Sequence, residues 1–578
     1  MSRFFITFLV IIISNTIEAQ SWQWGKRGGS TDVLETTNDF RQEEVYSIVT
    51  DSNKNIYVLS SVGKNGLDID GVIKTNYGST TQITDIALSS FACDGTYRWS
   101  KIIGGNSYDR VNKLQIDNED NIYISGKFGS CGNVTYPPRI EDDVLLPQNP
   151  IDCSVVFLAK YNSNGVLQWF KRPQPAGTSS SVGLSDTFSP GLASDGFGNS
   201  YWLLLLPSGT YVEGAFVNTM PGRNYFIFKY DSLGNFISST HIDMQLSNGS
   251  YLQALEFFRN PYNGYFYFTS RKGSGNAESA IVGGQTITHT VFLSCFNDLG
   301  QFQWVREDTA TTPGSLFLYN LAFDSANDIY LGGRLVGLNF NNFLGLIIPE
   351  TIAPGFIMKV NPTATTLLWS SYNNGDALQR GAIVLNNNEL AFTSHCAGTT
   401  FTWGTQTLNA SGTNQGTEVL LARFNKDTGA CIQLTKIPGN VGYNDAGTAL
   451  AVDSSGDYIL GGGTGGQLTF TTNTTNTIGP QSDFFVAKYS TSTCSLGTED
   501  FIDEGLQIFP NPANSYFAIT TSEKLNYSIY NITGSLLKTG TIFENSNTID
   551  ISDFSSGCYL VITITDTGVL KRGKLVKN

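Results

Sequence analysis

Three histidines, His241, His289 and His395, stand among 578 residues, and His395 is followed at once by Cys396. A Cys beside a His suggests a nucleophile and its base. Neighbours along a strand, however, point to opposite faces and do not readily hydrogen-bond to each other. No GxSxG, HExxH or Gly-Lys-Ser/Thr phosphate loop accompanies them, and three histidines are too few for a multi-histidine metal centre. Asp142 and Asp143 form a carboxylate pair, yet glycosidase chemistry requires two carboxyls held apart across a cleft. Side by side in an insert, they read as a solvated acidic loop. The turns DSNKN (Asp51 to Asn55), DNEDN (Asp117 to Asn121) and DSSGD (Asp453 to Asp457) alternate oxygen-bearing side chains as the start of a calcium loop does. Each lies between two predicted strands and lacks the downstream bidentate Glu, so Asx-turn chemistry explains them without calcium. These residues give no catalytic, cofactor or metal site.

Other chemistry-bearing residues recur at a fixed place. Lys160, Lys229, Lys359, Arg423 and Lys488 follow one another in equivalent segments, interrupted by Ser90 and Cys295. They would suit a ring of cations around an anion channel. Strand alternation puts each opposite its aromatic neighbours, which favours a stem packed on a sheet with its charge paired or solvated. Tyr57, Tyr123, Tyr201, Phe266 and Tyr330, with Trp99, Trp169, Trp304 and Trp369, could stack on sugars, but their common register points to packing between sheets. Tyr136 and Trp403 fall outside that register and are the aromatic candidates for binding.

The elements that position these residues are repeats. VNKLQID, NIYISGKF, VVFLAKYN and LQWFKR, within Val111 to Arg172, alternate apolar and polar residues between Asn, Asp, Gly and Ser turns, which predicts a four-stranded antiparallel meander. Asp51, Asp117, Asp195, Asn260, Asp324, Asn386 and Asp453 mark the same first turn in seven such units, at steps of 62 to 78 residues. The seventh unit ends at FFVAKYS (Phe484 to Ser490) without a fourth strand, while SWQWGKR (Ser21 to Arg27) is a fourth strand with no unit before it. Pairing the two closes a ring. The fold class expected is therefore all-β: residues 20–496 a seven-bladed β-propeller closed by the N-terminal strand, and a small β-sandwich after it. A β-sandwich array or an open solenoid would leave the first strand unexplained.

The composition agrees, with 37 Phe, 26 Tyr and 60 Gly against 4 Met. A formal charge of -14 argues against nucleic acid, whose binding needs a basic surface. Arg3, the apolar run Phe4 to Ile13 and Ile17-Glu18-Ala19 form a signal peptide over residues 1–19. No other stretch approaches the roughly 20 apolar residues of a membrane span. Eight cysteines in an exported chain allow disulfides. Cys131 and Cys153, flanking the insert of the second unit, are the candidate pair; isolated buried thiols are the open alternative.

The repeats, best seen in DNEDNIYISGKF, VVFLAKYNSNG and LQWFKR, resemble the bacterial SBBP-like β-propeller repeats, a likeness that speaks to fold and not to ligand. GTEDFIDEG (497–505) is acidic and without alternation, a linker. Residues 506–578 resemble the type A C-terminal sorting domain of the type IX (Por) secretion system of Bacteroidota. The matching positions are Phe509-Pro510-Asn511-Pro512, Ile529-Tyr530 with Gly534, Asp550, Phe554, Gly557 with Tyr559, and Lys574 to Lys577. Cys558 stands where an aliphatic residue is usual, and Cys packs as a small apolar side chain. The resemblance implies export through the periplasm, recognition by the outer-membrane translocon, and removal of the domain by a sortase-like peptidase. The expected protein is monomeric, secreted or on the cell surface, binding an extracellular glycan or protein. A polysaccharide hydrolase or lyase and a structural adhesion component are the alternatives. Long loops on a rigid scaffold carry function, so Gly129 to Cys153 and Pro173 to Ser189 are the places to look.

Overall fold

The computed structural model describes residues 20–30, 43–63, 66–75, 84–105, 109–128, 139–141, 144–145, 155–173, 191–247, 252, 256–271, 279–289, 291–308, 315–336, 343–349, 354–375, 381–410, 416–440, 442–477, 482–491, 494, 506, 508–519, 521, 524–531, 536–543, 548–565 and 570–578. The expected signal peptide and linker, Cys131, Cys153, Tyr136, Asp142, Asp143, Gly534 and nearly all of the loop after Pro173 lie outside the described residues. The chain divides into two units, Met1–Thr493 and Cys494–Asn578.

The first unit is all-β, with a single 3-10 turn, Val212–Gly214, among its described residues. Apolar alternation builds four-stranded antiparallel sheets in chain order. Sheet 1 runs from Val45–Thr50 to Tyr97–Ile103, sheet 2 from Arg110–Ile116 to Leu167–Lys171, and sheet 3 from Leu192–Ser194 to Phe236–Ile242. Sheet 4 spans Glu256–Arg259 to Phe302–Glu307, sheet 5 Ser315–Phe323 to Leu367–Tyr372, and sheet 6 Ala382–Asn386 to Cys431–Lys436. Sheet 7 has Ala446–Val452, Tyr458–Thr464 and Asp483–Ser490, and takes Ser21–Gly29 as its fourth strand. That strand pairs antiparallel with Asp483–Ser490, Ser21 opposite Ser490 and Gly28 opposite Phe484.

The core lies between sheets. One cluster joins sheets 1 and 2 through Tyr57, Leu88, Ile124 and Phe157. Others link sheets 2, 3 and 4, sheets 4 and 5, sheets 5 and 6, and sheets 6 and 7. A further cluster packs Val45, Val58 and Phe91 of sheet 1 against Trp24, Ile459 and Val486 of sheet 7. A fourth-strand Trp fastens four of these contacts, from sheets 1, 2, 5 and 7. Trp99 Nε1 donates to Ser163 O of sheet 2 at 3.2 Å, Trp169 Nε1 to Ser232 O of sheet 3 at 3.1 Å, and Trp24 Nε1 to Cys93 O of sheet 1 at 3.2 Å. The indole lies on a turn glycine with positive φ: a Cβ on Gly165 would meet Trp99 at 2.7 Å, and one on Gly95 would meet Trp24 at 2.8 Å.

Between second and third strands, several inserts form hairpins that strand alternation in the main repeat does not announce. Leu67–Ile69 with Val72–Lys74 turns through Asp70 and Gly71, both at positive φ, and extends sheet 7 beyond Ser21–Gly29. Ala280–Val282 with Gln285–Ile287 turns through Gly283-Gly284 in the same manner. Phe401–Trp403 with Gln406–Leu408 forms a third.

In the second unit, Ile508–Phe509, Tyr516–Ile519 and Thr548–Asp550 form one sheet. Leu536–Ile542, Leu525–Asn531, Gly557–Thr565 and Leu570–Lys577 form the other, in that spatial order. Phe517, Ile529, Val561 and Leu575 fill the core they share.

Candidate functional site

The recurring Asp and basic residues come together in sheets 2, 5 and 7. After the first strand of sheet 2, Asp117 Oδ1 accepts from Glu119 N at 3.0 Å and Asn121 N at 2.9 Å. Its Oδ2 lies 2.8 Å from Tyr123 OH and 4.0 Å from Lys160 Nζ, and the ammonium donates to Ser232 O of sheet 3 at 2.9 Å. In sheet 5, Lys359 Nζ sits 3.2 Å from Asp324 and 3.0 Å from Asp328; in sheet 7, Lys488 Nζ sits 3.0 Å from both Asp453 and Asp457. Sheet 6 substitutes Arg423 paired with Glu389 at 2.7 Å. Burial alone would lower the Lys359 pKa, but its bonds to Tyr330, Asp328 and Asp324 raise it. The cations also lie over the tyrosine rings, Lys160 at 5.3 Å from Tyr123 and Lys359 at 4.9 Å from Tyr330. Sheet 1 lacks the third-strand cation, and Arg98 from its fourth strand reaches Tyr57 OH at 3.1 Å and Ser90 Oγ at 2.9 Å. These groups hold turns and neighbouring sheets together. Their carboxylates are engaged by protein N–H and O–H donors, which is the Asx-turn reading of the calcium-like sequences.

His395 is 1 % exposed, and burial together with Arg334 pulls its pKa down to about 4. Burial pushes the Cys396 thiol up to about 12. A neutral imidazole beside a protonated thiol is not an activated nucleophile. Trp403, expected as a binding aromatic, is instead fully buried: its insert hairpin folds against sheet 6, the indole packs on Phe392 and Phe424, and Nε1 donates to Ser371 Oγ at 2.9 Å. Among the cysteines, Cys93 and Cys494 are disulfide-bonded, and Cys295, Cys396, Cys431 and Cys558 are free. Cys558 is exposed, contrary to the packed role expected of it, because it lies on the outward face of its strand while the next residue, Tyr559, is buried.

A cavity of about 360 Å³ opens where the end of sheet 2 meets sheet 3. Phe170, Lys171 and Arg172 line it from the last strand of sheet 2, and Tyr230, Gly234, Asn235 and Phe236 from sheet 3. Val212 and Glu213 complete it from the tip of the long hairpin Ser200–Tyr211 and Phe216–Tyr230. That tip is tied to sheet 2 by Val212 N donating to Pro173 O at 3.0 Å, and Val212, Glu213 and Gly214 all have positive φ, at 50°, 53° and 97°. Tyr230 is 1 % exposed, yet its hydroxyl has no hydrogen-bond partner among the described residues. Burial raises its pKa, so the phenol stays protonated and remains a donor. Lys171 and Arg172 lie in LQWFKR, where alternation assigns them only to a strand, and nothing in the sequence marks the Tyr230 hydroxyl as unused.

In the second unit, Asn511 ties the chain's last strand in place. Its Nδ2 donates to Lys574 O at 2.6 Å and its Oδ1 accepts from Val576 N at 2.8 Å, while Ala513 N donates to Val576 O at 2.8 Å. The flanking Phe509-Pro510 and Asn511-Pro512 peptides are cis. Tyr559 is buried, stacks near Phe554 at 5.1 Å and donates to Ser555 O at 2.6 Å; Gly557 pairs with Lys577 in the ladder, and Lys574 is exposed. Pro510, Asn511, Pro512, Gly557, Tyr559, Lys574 and Lys577 thus gather on the contact between the first loop and the terminal strand or in the ladder beside it. Residues 507–578 match the family model described as Secretion system C-terminal sorting domain. A sorting domain ends the chain. It indicates export through type IX secretion to the cell surface or beyond it, and no described helix is long and apolar enough to cross a membrane.

No curated protein matches the chain. Among solved structures, the quinohemoprotein alcohol dehydrogenase from Comamonas testosteroni overlaps 86 % of this chain and 79 % of its own at 10 % identity and a TM-score of 0.34. A protein of unknown function from Dyadobacter fermentans overlaps 80 % and 98 % at 8 % identity and a TM-score of 0.34. An exotype rhamnogalacturonan lyase overlaps 82 % and 76 % at 10 % identity and a TM-score of 0.33. Overlaps this loose carry no argument about substrate or reaction.

Proposed function

We propose that the protein is an extracellular binding protein: a seven-bladed, SBBP-like β-propeller, led out by a signal peptide, that presents a ligand site outside the cell and carries its sorting domain as an export tag. The sorting-domain match over 507–578 is the observation that carries this reading, since it fixes where the rest of the chain must work. The ring reading is supported by Ser21–Gly29 completing the sheet begun at Ala446–Val452 and by the core that sheets 7 and 1 share. With first and last sheets joined, neither end of the repeat array is left as an open apolar face. Binding rather than catalysis is favoured by the engagement of the recurring polar groups in sheet-to-sheet contacts and by the inert state of His395 and Cys396. The partners on the way out are the type IX translocon and a sortase-like peptidase that cleaves in the linker.

The test is deletion of residues 507–578 followed by cell fractionation. The truncated chain is expected to be lost from the medium and cell surface and to accumulate in the periplasm. Its undiminished appearance outside the cell would refute the export role.

A further inference from the structure

The repeats provide their own controls for the cavity between sheets 2 and 3. Tyr230 ends the third strand of its sheet, and the same place is held by Phe91, Tyr161, Phe296, Val360, Phe424 and Tyr489 in the others. Four of those are apolar. Tyr161 OH donates to Ile140 O at 3.2 Å, and Tyr489 OH accepts from Gln433 Nε2 at 2.9 Å. Tyr230 alone keeps a buried hydroxyl with nothing to bond among the described residues. A buried hydroxyl left without a partner is costly, so a partner from outside the chain is the natural complement.

The basic pair shows the same contrast. Lys171 and Arg172 stand two and three residues after Trp169, as Lys26 and Arg27 stand after Trp24. Lys26 pairs with Asp70 at 3.0 Å, and Arg27 with Asp68 at 3.1 Å and Asp483 at 3.4 Å. Lys171 and Arg172 have no ion pair or hydrogen bond among the described residues, although both are partly buried. Glu213, exposed at the rim, does not neutralise them through any ion pair either. The Asn235 amide is already spent on Asp231 at 2.9 Å. The cavity therefore offers two cations and a phenolic donor beside the aromatic walls Phe170 and Phe236, with a carboxylate acceptor at its edge. Three consecutive left-handed residues, one of them the β-branched Val212, are held over this space, and such strain gathers at ligand sites.

We propose that this cavity binds a small carboxylate with an apolar face, the chemistry shared by a uronic acid residue and an aromatic acid. The carboxylate lies between Lys171 and Arg172, the Tyr230 hydroxyl donates to an oxygen of the ligand, the apolar face rests on Phe170 and Phe236, and Glu213 accepts from a ligand hydroxyl. A volume of about 360 Å³, near the lower end of ordinary ligand pockets, suits a single ring and excludes a folded partner. This site deepens the binding role proposed above and rests on it.

The experiment is saturation-transfer NMR and calorimetry on the full chain with glucuronate, galacturonate, benzoate and, as the neutral control, glucose. Saturable binding of an acid but not of glucose is expected, weakened about tenfold or more in Lys171→Gln and in Arg172→Gln. Tyr230→Phe is expected to weaken binding while leaving the melting temperature unlowered, because the lost hydroxyl has no partner in the protein. Uronates binding without benzoate assigns a sugar acid; the reverse assigns an aromatic acid. No binding by any acid, equal binding of glucose, or unchanged binding in all three variants would overturn the assignment. A parallel screen of the full chain against extracellular glycans and surface proteins separates the two levels. Capture indifferent to Arg172→Gln sinks this site and leaves the binding role standing, while an empty screen sinks the role.

Discussion

Lys488→Met is the sharpest probe of what the recurring basic residue does. Its Nζ lies 3.0 Å from Asp453 and 3.0 Å from Asp457, its side chain and that of Asp453 are 0 % exposed, and Asp457 is 18 % exposed. Methionine keeps the length and apolar stem but removes the charge, stranding two carboxylates against each other. Breaking a buried ion pair from one side costs about 3–5 kcal/mol, most of it from the charge left behind. The copies grade the effect. Lys359 is 9 % exposed, with partners at 13 % and 18 %, so Lys359→Met falls toward the lower end of that range. Lys160 stands 4.0 Å from Asp117 and chiefly donates to Ser232 O, so Lys160→Met costs about 1–3 kcal/mol. Urea unfolding of the full chain followed by tryptophan fluorescence measures the order Lys488 > Lys359 > Lys160. Adding Asp457→Asn to Lys488→Met is expected to recover part of the loss, since it removes one stranded charge. Three variants as stable as the wild type, or the reverse order, would defeat the packing role and return the lysines to the channel reading.

Glu43 gives the first unit a pH dependence of unusual sign. Burial raises its pKa from 4.5 to about 8, against the lowering effect of hydrogen bonds from Ser30 and Gly63 and with a small push from Asp483. Below pH 4.5 both folded and unfolded forms hold the proton. Above it the unfolded chain releases the proton first, so stability falls by about 1.4 kcal/mol per pH unit until about pH 8. The wild type measured against Glu43→Gln across this window is expected to show that slope, and parallel curves would contradict it. Trp24→Ala tests ring closure, because Trp24 makes on sheet 1 the contact that Trp99 makes on sheet 2. Each substitution is expected to cost about 3–5 kcal/mol. A Trp24 variant losing under about 1 kcal/mol while Trp99→Ala loses the full amount would mean that sheets 7 and 1 do not depend on each other.

Much of the architecture was legible because one chain carries several copies of the same physical problem. Each first turn carries an Asx side chain, a second-strand Tyr reaches its carboxylate in sheets 1, 2, 3 and 5, and a fourth-strand Trp covers a neighbouring turn glycine in sheets 1, 2, 5 and 7. Single residues could be ambiguous, but Asp117, Tyr123, Lys160 and Trp169 recurring in register were not. The inserts escaped because each occurs once and has no copy to align with. Trp403 shows how that misleads: absence from the repeat register reads as freedom to bind, whereas the Phe401–Trp403 hairpin supplies the apolar cover that sheet 6 requires. The Asp70-Gly71 and Gly283-Gly284 turns were the legible sign that such inserts fold into hairpins.

The cavity escaped for a different reason. Tyr161, Tyr230 and Tyr489 are the same residue at the same repeat position, and Lys26-Arg27 and Lys171-Arg172 the same dipeptide after the same tryptophan. The difference between them is whether the surroundings supply a partner: a carbonyl at Ile140, an amide at Gln433, carboxylates at Asp68, Asp70 and Asp483. Those partners come from inserts, from another sheet or, for Asp483, from the paired strand at the far end of the chain, at sequence distances that no local pattern constrains. A repeat scaffold therefore hides a site by leaving a shared polar group in place and withholding its usual partner. Sequence alone shows the group; only the fold shows that the partner is missing. The unpaired groups at one place, a phenol and two cations within reach of one cavity, are the form that difference takes here.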